Sequence, residues 1–283
     1  MSESEEKIVS KRLARPPWLS VVGLALLVLL IGAGIFLSHG WKMELSARRL
    51  LVVGHRIVTP DDIVKASKVL TGARLYAMDL RTVEKNILSH PYIKWARVTR
   101  RLPDALRIEV GEREPIGALS VRHMTYFDEE GVALPPYQPA GVFDVPLISG
   151  GELQNDPEPG RRVDEAWVLR GVGILNQARA LGPDVYHLIS EVHLVPAGNV
   201  VFYSMDAGVP VVLGKDVDSR KLLMFETFWK EFVPARGSDQ LQIVDLRFKD
   251  QIVARWRTPA EQVPGRSPTD TSALIGEIHQ TKF

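Results

Sequence analysis

The chain has 283 residues, 45% of them hydrophobic and 24% charged, with 35 basic against 34 acidic side chains. That composition excludes whole-chain disorder and collagen-like or low-complexity architectures, and a net charge of +1 argues against nucleic acid as the main partner, which needs a basic surplus. The absence of cysteine excludes a disulfide framework, a thiolate zinc site, an iron–sulfur cluster and a cysteine nucleophile.

Residues 1–17 are short, charged and end in Pro16-Pro17, the pattern of a disordered tail. Residues 18–37, WLSVVGLALLVLLIGAGIFL, carry no charge. Twenty residues at about 1.5 Å each span roughly 30 Å, the thickness of a bilayer core, so the run is expected to be a transmembrane helix. Trp18 and Trp41 flank it, as indoles at a membrane interface do. A signal peptide would have a shorter apolar region and a small-residue cleavage site, and Ser38-His39-Gly40-Trp41 is a poor one. Lys7, Lys11, Arg12 and Arg15 precede the run; Lys42, Arg48 and Arg49 follow it, a weak bias placing the N-terminus inside.

The first folded block is expected over residues 45–113. Leu50 to Val53 read as a strand. Thr59-Pro60-Asp61-Asp62 starts a helix, with a cap, a proline at the first position and two acids at the positive end. Gly72 is expected to close that helical region, and Asp79 to open a second helix with Leu80, Val83, Ile87 and Leu88 on one face. Alternation over 95–110, turning at Pro103-Asp104, predicts a hairpin. The order is β-α-α-β-β, two helices on a small sheet.

The second block, 114–257, is richer in strands. Hairpins are expected at 124–134, 191–203 and 241–256, another strand at 209–213, and helices at 163–181 and 216–233. Leu222, Phe225, Trp229 and Phe232 form the apolar stripe of the second helix. The fold class is α+β, with a mixed sheet carrying two or more helices. Residues 258–283, rich in Pro, Thr, Ser and charge, read as a disordered tail in which Leu274, Ile275 and Ile278 could form a small docking motif.

Reaction chemistry is not visible. The seven histidines are scattered, without metal-ligand spacing. Ser4 and Lys7 match S-x-x-K by chance in a polar tail, and Gly171 and Gly173 fall inside a predicted helix, not a nucleotide loop. Asp128-Glu129-Glu130 read as a solvated turn, and Asp216 and Asp218 as a helix start. No catalytic residue, cofactor, metal or small-molecule substrate is expected, and a membrane-bound cell-wall hydrolase finds no constellation to support it.

A tethered region without a reaction centre points to binding, and the closing hairpin supplies a sheet edge. Ile252, Ala254 and Trp256 face one way; Val253, Arg255 and Arg257 the other. An open edge offers N–H and C=O groups to a partner strand. Trp256 is then either an exposed anchor or a core residue beneath an edge guarded by arginines. Replacing Val253 with Pro is expected to remove a ladder N–H and weaken partner binding.

Residues 52–59, VVGHRIVT, followed by Asp62, Gly72, Asp79, Pro91, Trp95, Pro103, Glu112 and Pro115, resemble the POTRA domain of the bacterial cell-division family FtsQ, called DivIB in Gram-positive bacteria. Val212-Leu213-Gly214 and Val244-Asp245-Leu246-Arg247-Phe248 resemble two later family segments. The resemblance implies a single-pass inner-membrane protein with a cytoplasmic N-terminus and a periplasmic bulk at the septum. It implies a scaffold that binds FtsB and FtsL and regulates septal peptidoglycan synthesis, with FtsK, FtsW and FtsI-type synthases as further candidate partners. By position it implies contacts at Arg247, Phe248, Gln251, Ile252, Val253, Ala254, Arg255 and Trp256. Phe248 stands where the family usually has Tyr, and Gln251 where Gly is common. The alternative is a secretion or outer-membrane assembly component, since POTRA units occur there too.

Overall fold

The computed structural model describes residues 17–120, 122–195 and 198–257. The expectations for the tails, for Ser4 and Lys7 and for the Leu274–Ile278 motif lie outside the described residues. Two compact units are present. Of the described residues, the first holds 17–55, 60–88 and 95–111; the second holds 56–59, 89–94 and those from 112 to 257.

Helix α1 runs over Pro17–Glu44 and contains the apolar run. Among the described residues no helix is long and apolar enough to cross a membrane. The side chains described within α1 are those of 22–36, uncharged and all exposed, and they cover only about 22 Å at ~1.5 Å per residue.

In the first unit, β1 (Arg49–Val53), α2 (Pro60–Ser67), α3 (Leu80–Ile87), β2 (Ile93–Arg101) and β3 (Ala105–Glu112) follow the β-α-α-β-β order. The sheet order is β1-β3-β2, with Arg49 of β1 opposite Ala105 in a parallel pair. Pro60 begins α2, and Asp79 caps α3 by accepting the Arg81 N–H at 3.1 Å. Ile63, Val83 and Ile87 of the helices and Val98, Leu106 and Ile108 of the sheet are all buried. Gly72 does not close a helix: α2 ends at Ser67, and Gly72, at φ +89°, donates its N–H to Ala47 O in the following loop. Gly54 is required for a different reason, since at φ +90° a Cβ there would sit 2.3 Å from Val110 O.

The second unit is built on a nine-stranded mixed sheet of order β12-β11-β10-β9-β8-β7-β4-β5-β6. Its strands are β4 (Gly117–Ser120), β5 (Met124–Phe127), β6 (Ala133–Leu134), β7 (Leu147–Ser149), β8 (Ile189–Val195), β9 (Asn199–Ser204), β10 (Pro210–Gly214), β11 (Leu241–Asp245) and β12 (Val253–Trp256). Helices α4 (Ala166–Leu181), α5 (Pro183–His187) and α6 (Ser219–Glu231) complete it. Strands β4, β7 and helix α5 were not foreseen, being three to five residues long and too short for a periodic signal. Ile148, Leu175, Val192, Phe202 and Phe225 share one core, in which Phe202 and Phe225 meet edge to face at 4.7 Å.

Three expectations are corrected. Phe232 is not on the buried stripe of α6: it is 57% exposed, and Phe228 and Val233 are buried instead. Asp128 is not solvated. It is 2% exposed, accepts the N–H groups of Glu130 and Val132 at 2.9 and 2.8 Å, and meets the Arg113 guanidinium at 2.5 Å. Glu130 is held at a pKa of about 2 by hydrogen bonds from Arg113 and Lys94. Lastly, the strand expected to run to 248 stops at Asp245. Leu246 gives its N–H to Val212 O at 2.9 Å, and the Asp245 carboxylate takes the N–H of Arg247 at 3.0 Å, so the chain leaves the ladder there.

Candidate partner-binding edge

Strand β12 is the last strand of the sheet and pairs only with β11, antiparallel, among the described residues. The phase of its ladder follows from one bond, Arg257 N–H to Gln240 O at 2.7 Å. Inward and outward groups alternate along an antiparallel strand, so Arg255 and Val253 also turn their backbone groups to β11. Ala254 and Trp256 turn theirs outward. The Val253 N–H therefore belongs to the internal ladder, and proline at 253 tests stability, not partner binding; the residue that tests the edge is Ala254.

Side chains obey the predicted alternation. Ile252, Ala254 and Trp256 pack on the core of the second unit, while Val253 and Arg255 are exposed. Trp256 is half-buried. Its ring meets Phe228 at 6.4 Å, and the Arg236 guanidinium sits 5.0 Å from its centroid.

Arg247 is bound by the Asp245 carboxylate through Nε at 3.0 Å and Nη2 at 2.6 Å, and this hydrogen bonding holds its pKa above the ordinary value. It braces the turn out of β11. Phe248, 50% exposed, and the exposed Gln251 lie on the loop between β11 and β12. Beside the edge, Leu223, Met224, Phe228 and Phe232 of the α6 segment form a shallow groove with Ile252. Phe232 was read as part of the buried stripe, and Leu223 lies off that stripe, so neither was expected to line a groove. Helix α6 is fixed by Asp218, which accepts the Lys221 N–H, and by the Lys221 ammonium on Leu213 O at 2.7 Å.

The opposite edge of the sheet is closed. The Ala133 N–H bonds to Arg161 O and the Gly160 N–H to Ala133 O, so the 158–163 segment lies along β6.

One polar cluster stands apart from this edge. Ser149 Oγ contacts the Glu191 carboxylate and lies 2.7 Å from His193 Nδ1. The Glu191 carboxyl is held below its usual range, chiefly by His193. Serine stands between the other two groups, whereas a nucleophile relay needs histidine in that place. Among the described residues no group of three metal-binding side chains occurs.

Two family models match the chain. The model described as POTRA domain, FtsQ-type, covers residues 45–113, and Cell division protein FtsQ/DivIB, C-terminal, covers 118–247, ending just before β12. Among curated relatives, Cell division protein FtsQ of Rhodothermus marinus is 31% identical over 76% of this chain and 79% of the relative. That of Salinibacter ruber is 29% identical over 84% of this chain and 93% of the relative. That of an Anaeromyxobacter species is 29% identical over 91% and 88%.

Proposed function

Because this chain belongs to the FtsQ/DivIB family of bacterial cell division proteins, we propose that it is a membrane-anchored scaffold of the division machinery whose β12 edge receives a strand of FtsB, with FtsL alongside. In this reading residues 1–17 are cytoplasmic, 18–37 cross the inner membrane, and 45–113 and 114–257 are a POTRA domain and a partner-binding β domain on the far side, followed by the 258–283 tail. The complex would gate septal peptidoglycan synthesis, and FtsK, FtsW or FtsI-type synthases would join it through other surfaces.

One observation carries the reading: β12 ends the sheet with the outward groups of Ala254 and Trp256 beside an apolar groove. A partner strand would gain main-chain bonds on Ala254 and Trp256 and side-chain contacts on Phe248, Val253 and Arg255. The half-buried Trp256 supports the strand from beneath.

The test uses the full chain in detergent and co-purification with the FtsB–FtsL pair. Ala254→Pro removes only an outward N–H, which an edge strand tolerates. It should weaken capture by about tenfold, the value of a lost main-chain bond and a disturbed ladder, with thermal unfolding unchanged. Undiminished capture by Ala254→Pro would sink the edge-strand reading.

A further inference from the structure

Charge is distributed unevenly along this near-neutral chain. Residues 45–111 carry thirteen basic and six acidic side chains, while residues 112–283 carry seventeen basic and twenty-four acidic ones. In the first unit, exposed cations gather at the end of the sheet where β1 begins. There the segment leaving α1 is fixed by backbone bonds from Leu75 N–H to Leu45 O, Ala47 N–H to Ala73 O and Arg48 N–H to Asp104 O, each 2.7 to 2.8 Å.

The loops that hold it present two bulky aliphatic side chains, Leu70 and Leu102, 78% and 62% exposed. Arg48, Lys68, Arg74 and Arg101, all exposed, lie on the same loops and on the segment bonded to them. Two nearby described carboxylates are already engaged: Asp104 pairs with Arg49 at 2.6 Å, and Asp79 caps α3. From the end of α1 at Glu44 to Ala47 the chain can reach no more than about 10 Å, so whatever layer holds the end of α1 is also what these loops face.

We propose that this end of the first unit rests on the bilayer surface, with Leu70 and Leu102 at headgroup depth and Arg48, Lys68, Arg74 and Arg101 against anionic lipid headgroups. Aliphatic tips among exposed cations match a surface that is apolar below and negative above. The inference rests on reading α1 as a membrane span. Its consequence is that the first unit is held against the membrane by two points, the helix and this loop pair.

The absence of native cysteine makes a clean probe possible. The full chain is labelled with a polarity-sensitive fluorophore at Thr71→Cys, beside an intact Leu70, or at Lys85→Cys on α3 as control. It is reconstituted into phosphatidylcholine vesicles with or without phosphatidylglycerol. Quenching by headgroup nitroxide lipids should be at least about twofold greater at 71 than at 85 in the anionic vesicles, and should weaken as salt shortens the screening length. Arg74→Glu with Arg101→Glu should lower the ratio of docked to free molecules by about tenfold or more. Equal quenching at 71 and 85 in anionic vesicles overturns the proposal. Alkaline extraction separates the two readings. Release of the chain from the vesicles sinks the membrane span, whereas retention with equal quenching sinks only the surface contact.

Discussion

In the three-stranded sheet one N–H of the edge strand β2 is taken from within: Glu84 of α3 accepts the Val98 N–H at 2.8 Å. In the nine-stranded sheet β6 is likewise covered, by the backbone of 158–163, yet β12 is left with its outward groups uncovered by any described strand. An uncovered edge invites unwanted pairing. This chain meets one edge N–H with a carboxylate and lines another edge with its own backbone. On the proposed function, covering β12 is left to another molecule.

The contrast can be broken hardest at the core. Phe225→Ala removes a buried ring from the second unit and should cost about 3–5 kcal/mol. Hydrogen exchange on the full chain should then accelerate in β8 to β11 while β1 and β3 keep their protection. Equal loss in both sheets would mean that the two units unfold as one.

Asp128→Ala removes one of the two carboxylates on Arg113, leaving Glu130, and strips the buried Val132 N–H of its acceptor, and should destabilise the second unit by about 2 kcal/mol, read as a denaturation midpoint. Smaller effects sharpen the comparison of edges. Val253→Pro should cost the second unit about 1–2 kcal/mol through its lost ladder bond, and Glu84→Ala should cost the first unit about 1 kcal/mol by baring the Val98 N–H. If Glu84→Ala also increases self-association by light scattering, edge protection is the role of that carboxylate.

The least effect is electrostatic. The folded pKa of Glu130, about 2, lies below its ordinary 4.5, so its stabilisation is present above about pH 4.5 and lost as pH falls toward 2. Because the side chain is partly exposed, the loss should stay under about 1 kcal/mol. Arg113→Gln should move the Glu130 titration, followed by NMR, back toward the ordinary value.

Much of this was legible from local chemistry. Asp79 and Asp218 announce helix starts because a capping carboxylate acts on N–H groups two or three residues away. The alternation over 252–256 placed Ile252, Ala254 and Trp256 on one face because a strand has period two. What was not legible depends on partners distant in sequence. Nothing near Asp128 reveals that Arg113 will bury it, and nothing near Leu246 reveals that its N–H goes to Val212 and ends the hairpin early. Phe232 fits the helical stripe by spacing, but α6 ends at Glu231 and the chain turns it outward. The outward phase of Ala254 required one observed bond, Arg257 to Gln240.

The closure of β6 by 158–163 also limits assembly. A sheet with two open edges can stack copies head to tail without end, as polymers of paired strands do. With one edge sealed, this sheet can accept a single added strand, or meet a second copy β12 to β12 across a two-fold axis, and then growth stops. If β12 receives a partner strand as proposed, complexes through this surface are therefore finite, with one partner strand per chain. On that reading any larger ordered array must be propagated by the partners, not by this sheet.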